Sequence, residues 1–220
     1  MEYILAPSIL AADFKNLGEE MKKTEENGAK YLHFDVMDGM FVPSISFGMP
    51  VLKSIQGATD QVMDAHLMVQ EPIRYVEDFK KAGADMVTVH LEACEDVEKT
   101  IAKIRECGMK VGLSICPETG AGAVEGLLSK IDMLLVMSVH PGFGGQKFIP
   151  ESLDKIRTVR KMITDQGLSV DIQVDGGIYL SNVREVLEAG ANIIVAGSAV
   201  FGTDAGENTK AFMEILKEYE

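Results

Sequence analysis

The 220-residue chain contains no tryptophan and only three cysteines, Cys94, Cys107 and Cys116. The cysteines form no CxxC pair or other metal-binding pattern, and so few fit a reducing compartment better than a disulfide framework. Positive charge is scarce: 21 Lys and Arg stand against 34 Asp and Glu, a net charge of −13. Such a chain is a poor partner for nucleic acid or an anionic membrane. No apolar run approaches the roughly 18 residues that would mark a membrane span. The opening residues MEYILAPSIL have no basic segment and no cleavage site, so no export signal is expected and a cytoplasmic location is. Low-complexity linkers and breaks in composition are also absent. Residues 1–220 are therefore expected to form a single domain, for which a hydrophobic content of 46% supplies a sizeable core.

What is present is a rhythm. Short apolar, β-branched runs recur at 3–10, 31–37, 61–69, 86–91, 110–115, 133–139, 171–177 and 192–198. Between them lie helical-looking segments with charged faces. Those at 15–28, 71–83, 96–108, 150–167 and 182–190 all end in glycine, as helix C-termini often do. Strand then helix, eight times, reads as an α/β protein with a single (β/α)8 barrel. A doubly wound sheet is the competing architecture, but the count of eight and the lack of an early GxGxxG favour the barrel. In a barrel, chemistry belongs at the C-terminal ends of the strands. Ser8, His33 with Asp35, Asp64 with His66, His90, Ser138 with His140, Asp175 and Ser198 all fall at such ends, and the opposite ends carry little of this kind.

HFDVMDG (33–39) is the sharpest of these strand ends. Side chains alternate along a strand, so His33, Asp35 and Met37 share one face and Phe34 and Val36 the other. A buried, unpaired carboxylate costs roughly 2–7 kcal/mol or more, so something must compensate Asp35. A lone strand-end histidine is ordinarily a hydrogen-bonded packing residue. Here two histidines and two aspartates, His33, Asp35, His66 and Asp175, come from strands whose ends converge on one barrel mouth. That set suits one divalent ion per subunit, Zn2+, Fe2+, Mn2+ or Co2+. Asp35 and Asp175 lie on separate parts of the wall. They are placed to take a proton from the carbon beside a ketone and to return one to the opposite face, with the ion stabilising the enediolate. The plain alternative for Asp175 is a turn residue ahead of Gly176 and Gly177.

Three glycine-rich turns follow adjacent strands: PGFGGQKF (141–148), VDGGI (174–178) and AGSAVF (196–201). Each offers backbone N–H groups to an anion, and barrel phosphate sites commonly lie near strands 7 and 8. The first is long and glycine-rich enough to move as a lid. Met37, Met68 and Met137 sit near the polar strand ends, where core filling is the default reading.

These motifs together closely resemble the D-ribulose-5-phosphate 3-epimerase family. The match runs nearly end to end through APSILAADF (6–14), HFDVMDGMFVP (33–43), DAHLMV (64–69), VMSVHPGFGGQKF (136–148), IQVDGGI (172–178) and AGSAVF (196–201). The resemblance implies a TIM barrel of the ribulose-phosphate-binding type and a metal-dependent epimerase of the pentose phosphate pathway. The expected reaction interconverts D-ribulose 5-phosphate and D-xylulose 5-phosphate in a homo-oligomer. It makes His33, Asp35, His66 and Asp175 the metal ligands, and Asp35 and Asp175 the proton acceptor and donor. Ser8 and His66 would contact the sugar. Gly142, Phe143, Gly144 and Gly145, then Gly176, Gly177, Gly197 and Ser198, would hold the substrate, chiefly its phosphate. It also turns Met37, Met68 and Met137 into an apolar cap over the enediolate. Two places depart from the family pattern: His140 stands where Asn is frequent, and CPETG (116–120) replaces a segment that often reads NPxTP.

The nearest rival is a 3-epimerase of a hexulose phosphate such as D-allulose 6-phosphate, which would use the same metal and aspartates. A decarboxylase or aldolase on the same barrel would need a DxKxxD strand end, whereas the third strand reads MDAHLMV, without lysine. A non-catalytic sugar-phosphate binder has no use for the full set of four ligands and two carboxylates.

Overall fold

The computed structural model describes residues 1–220. Eight strands form one parallel sheet: β1 (Ile4–Pro7), β2 (Tyr31–Met37), β3 (Val62–Met68), β4 (Met86–His90), β5 (Lys110–Ile115), β6 (Met133–Met137), β7 (Asp171–Asp175) and β8 (Ile193–Ala196). β1 pairs with β8, each strand from β3 to β8 pairs with the one before it, and a single parallel bridge between Ser8, just past β1, and His33 closes the ring onto β2. The sheet is thus a barrel. Both faces of a barrel strand are buried, which is why these segments read as nearly continuous apolar runs. All seven residues of β2 are buried. Leu32, Phe34 and Val36 pack outward into the layer shared with the helices. His33, Asp35 and Met37 face the interior.

Helices α1 (Leu17–Glu26), α2 (Met49–Ile55), α3 (Val76–Lys81), α4 (Val97–Glu106), α5 (Ser152–Asp165), α6 (Val183–Glu188), α7 (Ser198–Phe201) and α8 (Ala205–Lys217) surround the barrel. α1, α3, α4, α5 and α6 lie inside the five glycine-terminated segments. The closing glycines Gly28, Gly83, Gly108, Gly167 and Gly190 all adopt positive φ, the conformation that ends a helix with least steric cost to glycine. One strand–helix unit departs from expectation. Between β5 and β6 the chain makes 3-10 turns over Ala121–Lys130 rather than an α-helix. Gly122 and Gly126 lie inside this segment, and each costs a helix about 1 kcal/mol relative to alanine. No helix is long and apolar enough to cross a membrane.

The interior is layered along the barrel axis. The floor is apolar, built from Ile4, Ala6, Tyr31, Met86, Met133, Ile193 and Val195. Above it lie His33, Asp64, Thr88 and Gln173, all fully buried, and above those Asp35, His66 and His90. The N-terminal rim is more polar than the sequence suggests. Asp85 accepts a hydrogen bond from the Met63 N–H (2.9 Å), Asp132 from Val111 (2.7 Å) and Asn192 from Ile172 (2.9 Å). In each case a residue just ahead of one strand satisfies the N–H of the second residue of its neighbour, so these groups complete backbone hydrogen bonding.

Gly112 on β5 is paired in register with Thr88 on β4. A Cβ at position 112 would lie 2.1 Å from Thr88 Oγ1, whose hydroxyl donates to Asp64 at 2.7 Å. Gly112→Ala is therefore expected to cost about 1–3 kcal/mol of stability. The measurement is a lower urea midpoint with an unchanged slope.

Candidate active site

The register of β2 on β3 sets His33 opposite Asp64 and Asp35 opposite His66. Four side chains meet on the axis. His33 Nε2 lies 3.2 Å from His66 Nδ1 and 3.3 Å from Asp35 Oδ1, and His66 Nδ1 lies 3.0 Å from Asp35 Oδ1. Asp175 Oδ2, from β7, is 4.0 Å from His33 Nε2. One ligand atom from each of the four residues falls within 4.8 Å of all the others. Donor atoms about 2.0–2.2 Å from a common ion stand roughly 3.0–3.5 Å apart, so this spacing fits a single divalent metal. Each ligand is also braced. His33 Nδ1 donates to Asp64 Oδ2 at 2.9 Å, and Asp64 is held in turn by Thr88 and by Gln173 Nε2 at 2.9 Å. Ser8 Oγ donates to Asp35 Oδ2. His66 Nε2 lies 2.8 Å from His90 Nε2.

The protonation pattern shows how the cluster is balanced without an ion. Burial disfavours charge on His33, but Asp35 and Asp64 outweigh it and lift the imidazole well above its ordinary pKa. Burial also works against the Asp35 carboxylate, yet His33 and His66 hold it well below the usual range. Asp175 has weaker support, from His33 alone at 4.0 Å. Burial first and the Asp35 charge second push it up to about 7. The set is short of positive charge, and a divalent cation would relieve that deficit. This is the fit expected of a metal site built from two imidazoles and two carboxylates.

Above the cluster opens a cavity of about 410 Å3. Ser8, Asp35, Gly142, Phe143, Gly144, Gly145, Asp175, Gly176, Gly177, Gly197 and Ser198 all line it, as do Met37, Met68 and Met137. His33 and His66 do not. Both are fully buried beneath Asp35, so His66 stands below the cavity rather than on its wall. The N–H groups of Gly176, Gly177 and Gly197 donate to no acceptor within the backbone network. Close packing accounts for two of these glycines. A Cβ on Gly176 would meet Val139 Cγ2 at 2.4 Å, and one on Gly177 would meet the Phe148 nitrogen at 2.3 Å, both from positive φ. The 141–148 loop is braced by Gln146, whose Nε2 donates to the carbonyls of His140 (2.6 Å) and Phe143 (2.9 Å). The two departures from the family pattern touch each other: His140 Nδ1 lies 2.8 Å from Glu118 Oε1.

Asp64, Thr88 and Gln173 join the site without a role that the sequence discloses. Asp64 carries a legible signal, since it precedes His66 by two positions and so shares its face. Thr88 and Gln173 carry none, because an isolated polar residue within an apolar strand does not say what it will meet.

A model described as the ribulose-phosphate 3 epimerase family matches residues 4–201. The chain is 52% identical to a ribulose-phosphate 3-epimerase of Synechocystis, over 90% of this chain and 87% of the relative. It is 47% identical to one of Escherichia coli, over 99% and 96%. Among solved structures, a KGPDC from Streptococcus mutans superposes with a TM-score of 0.74 at 12% identity, covering 99% of each chain, a likeness of fold alone. With the motifs, the barrel and these matches in agreement, the chain belongs to the ribulose-phosphate 3-epimerase family.

Proposed function

We propose that this epimerase interconverts D-ribulose 5-phosphate and D-xylulose 5-phosphate by inversion at C3, with one divalent ion held by His33, Asp35, His66 and Asp175. The observation that carries the reading is a pair of carboxylates from separate parts of the barrel wall, Asp35 on β2 and Asp175 on β7, that line one cavity and belong to one four-residue donor cluster. Each carboxylate has two oxygens, so one can hold the ion while the other handles a proton.

Asp35, kept ionised by His33 and His66, takes the proton from C3, and the bonding pair moves toward the C2 carbonyl to give an enediolate. Asp175, across the barrel, delivers its proton to the other face of C3. The two exchange roles in the reverse direction. When bound, a divalent ion supplies Lewis acidity at the ketone and lowers the cost of the developing negative charge. Ser8, donating to Asp35, orients the base. Met37, Met68 and Met137 present apolar surface over the reacting carbons, which favours proton exchange with the aspartates over exchange with water. The free N–H groups of Gly176, Gly177 and Gly197, with Ser198 beside them, supply donors for the phosphate without a basic side chain.

The cavity volume suits a sugar phosphate. A hexulose phosphate would meet the same chemistry, and the relatives' names favour the pentulose. No lysine lines the cavity, which disfavours the decarboxylase chemistry found on similar barrels. The same reading places the enzyme in the pentose phosphate pathway, as a cytosolic homo-oligomer. Its three unpaired cysteines suit a reducing compartment.

In D2O, NMR should show xylulose 5-phosphate forming from ribulose 5-phosphate with deuterium at C3. Formation on a hexulose phosphate alone would retain the mechanism and change the substrate. Asp35→Asn and Asp175→Asn should each lower kcat by orders of magnitude with an unaltered circular dichroism spectrum, and near-normal turnover in either would overturn the two-base scheme.

Metal affinity yields two further expectations. At pH 7 the ion-free cluster retains a proton on His33, which must leave for the ring to ligate a cation. Calorimetry of Mn2+ binding in buffers of different ionisation enthalpy should report release of about one proton, and affinity should fall as pH drops. Asp64→Asn removes the carboxylate that orients His33 and should weaken metal binding about 10–100-fold in competition with a chelator.

A further inference from the structure

Behind His66 lies a second convergence of donor atoms that the epimerase chemistry does not use. His90 Nδ1 lies 3.4 Å from Glu92 Oε2 and 3.5 Å from Cys116 Sγ. One ligand atom from each of these three residues falls within 4.8 Å of the others. Cys116 opens the CPETG segment, one of the two departures from the family pattern.

A single ring nitrogen carries at most one hydrogen, so without an ion His90 Nδ1 donates to Glu92, which is also the acceptor within reach of the Cys116 thiol. A cation would instead engage one atom from each of the three residues. Bond lengths of about 2.0–2.1 Å for nitrogen and oxygen and 2.3 Å for sulfur, at tetrahedral angles, set the donor atoms roughly 3.4–3.6 Å apart. The two observed separations agree. Glu92 is already aimed, since its Oε1 accepts from the Cys116 N–H at 2.8 Å and from Thr119. An open cavity of about 370 Å3 adjoins the cluster, with Glu71, Glu92 and Glu95 on its wall, so the approach favours cations. Lys155 acts against this, because its ammonium sits on the Cys116 and Pro117 carbonyls at 2.9 and 2.8 Å.

We propose that His90, Glu92 and Cys116 form a second metal site, selective for a thiophilic divalent ion such as Zn2+ or Co2+, and that its occupancy opposes metal binding at the His33–Asp35–His66–Asp175 cluster. The first half stands on the second cluster alone, and the opposition rests on the metal reading of the first. Binding forms one bond each to nitrogen, oxygen and sulfur and releases the Cys116 thiol proton to solvent. The opposition follows from one shared hydrogen. His66 and His90 face each other through their Nε2 atoms at 2.8 Å. For His66 to ligate through Nδ1, its hydrogen must sit on Nε2 and donate to His90, which then keeps its own hydrogen on Nδ1. For His90 to ligate through Nδ1, the hydrogen in the bridge must belong to His90, and His66 then carries one on Nδ1. Both rings stay neutral throughout, and the bridge serves one site at a time.

The test is a Co2+ titration of the full chain after chelator treatment, followed by the near-ultraviolet thiolate-to-cobalt charge-transfer band. The band should appear in the wild type and be lost in Cys116→Ser. Glu92→Gln should weaken it, and circular dichroism would establish that both variants fold. In Asp175→Asn, which breaks the first site, the band should develop at a Co2+ concentration lower by about fivefold or more. Absence of the band in the folded wild type, or its survival in Cys116→Ser, would overturn the second site. An unchanged midpoint in Asp175→Asn would overturn the opposition. Electron paramagnetic resonance of Mn2+, which shuns thiolate, reports the first site separately. Failure of Mn2+ to bind would defeat the metal reading of the epimerase site while leaving the Co2+ result to stand by itself.

Discussion

Charge inside a barrel has to be neutralised by what the strands themselves bring. The interior has no bulk water, and an ionised carboxylate there is costly without partners. This protein places Asp35 and Asp64 in that interior, with His33 and His66 between them and Asp175 at the edge of the cavity. Most of the site's construction answers that constraint. Asp64 takes three hydrogen bonds, from His33, Thr88 and Gln173. Asp35 takes one from Ser8 and contacts both imidazoles. Asp175 receives no comparable partner and is therefore the group whose protonation responds to the state of the site. The asymmetry between Asp35 and Asp175 is thus a result of counting donors around each one.

The same constraint extends into packing. Thr88 can reach Asp64 only because its neighbour on β5 is Gly112, with no Cβ to occupy that space. A glycine in the middle of a strand is ordinarily a weakness. Here it makes room for the hydroxyl that satisfies a buried carboxylate, which in turn holds the tautomer of His33. The apolar floor beneath and the three methionines above enclose this polar layer. Asp35 and Asp175 lie where this layer meets the cavity at the barrel mouth.

Much of this was legible in the amino-acid order. The glycines at 28, 83, 108, 167 and 190 marked five helix ends because positive φ is a local property of one residue. The ligand set emerged from period-two alternation combined with the rule that strand ends converge. What could not be read was contact between distant strands. Gln173 meets Asp64 across the barrel, and neither residue announces the other. The 3-10 course of Ala121–Lys130 is hidden in the sequence because its apolar content resembles a helix while its glycines act only through the backbone. The polar N-terminal rim is hidden for another reason. Asp85, Asp132 and Asn192 look like loop residues, and their work on backbone N–H groups has no side-chain signature.

The two rims show why polarity at a strand end is weak evidence until its partners are known. At the N-terminal end Asp85, Asp132 and Asn192 each accept a backbone N–H of the adjacent strand, and Asn192 also joins Arg160, Asp171 and the Glu2 carbonyl, so these groups are taken up by the fold's own hydrogen bonding. At the C-terminal end the backbone donors are met elsewhere or, at Gly176, Gly177 and Gly197, left free. The side chains there are not needed by the fold's own hydrogen bonding, and they point to a common axis. Convergence of groups the fold does not require is what separates a site from a structural cap. By that criterion the barrel mouth qualifies through its four-residue cluster, whereas the trio His90, Glu92 and Cys116 is mixed: Glu92 Oε1 completes the Cys116 backbone N–H, and Glu92 Oε2 and Cys116 Sγ converge on His90 Nδ1.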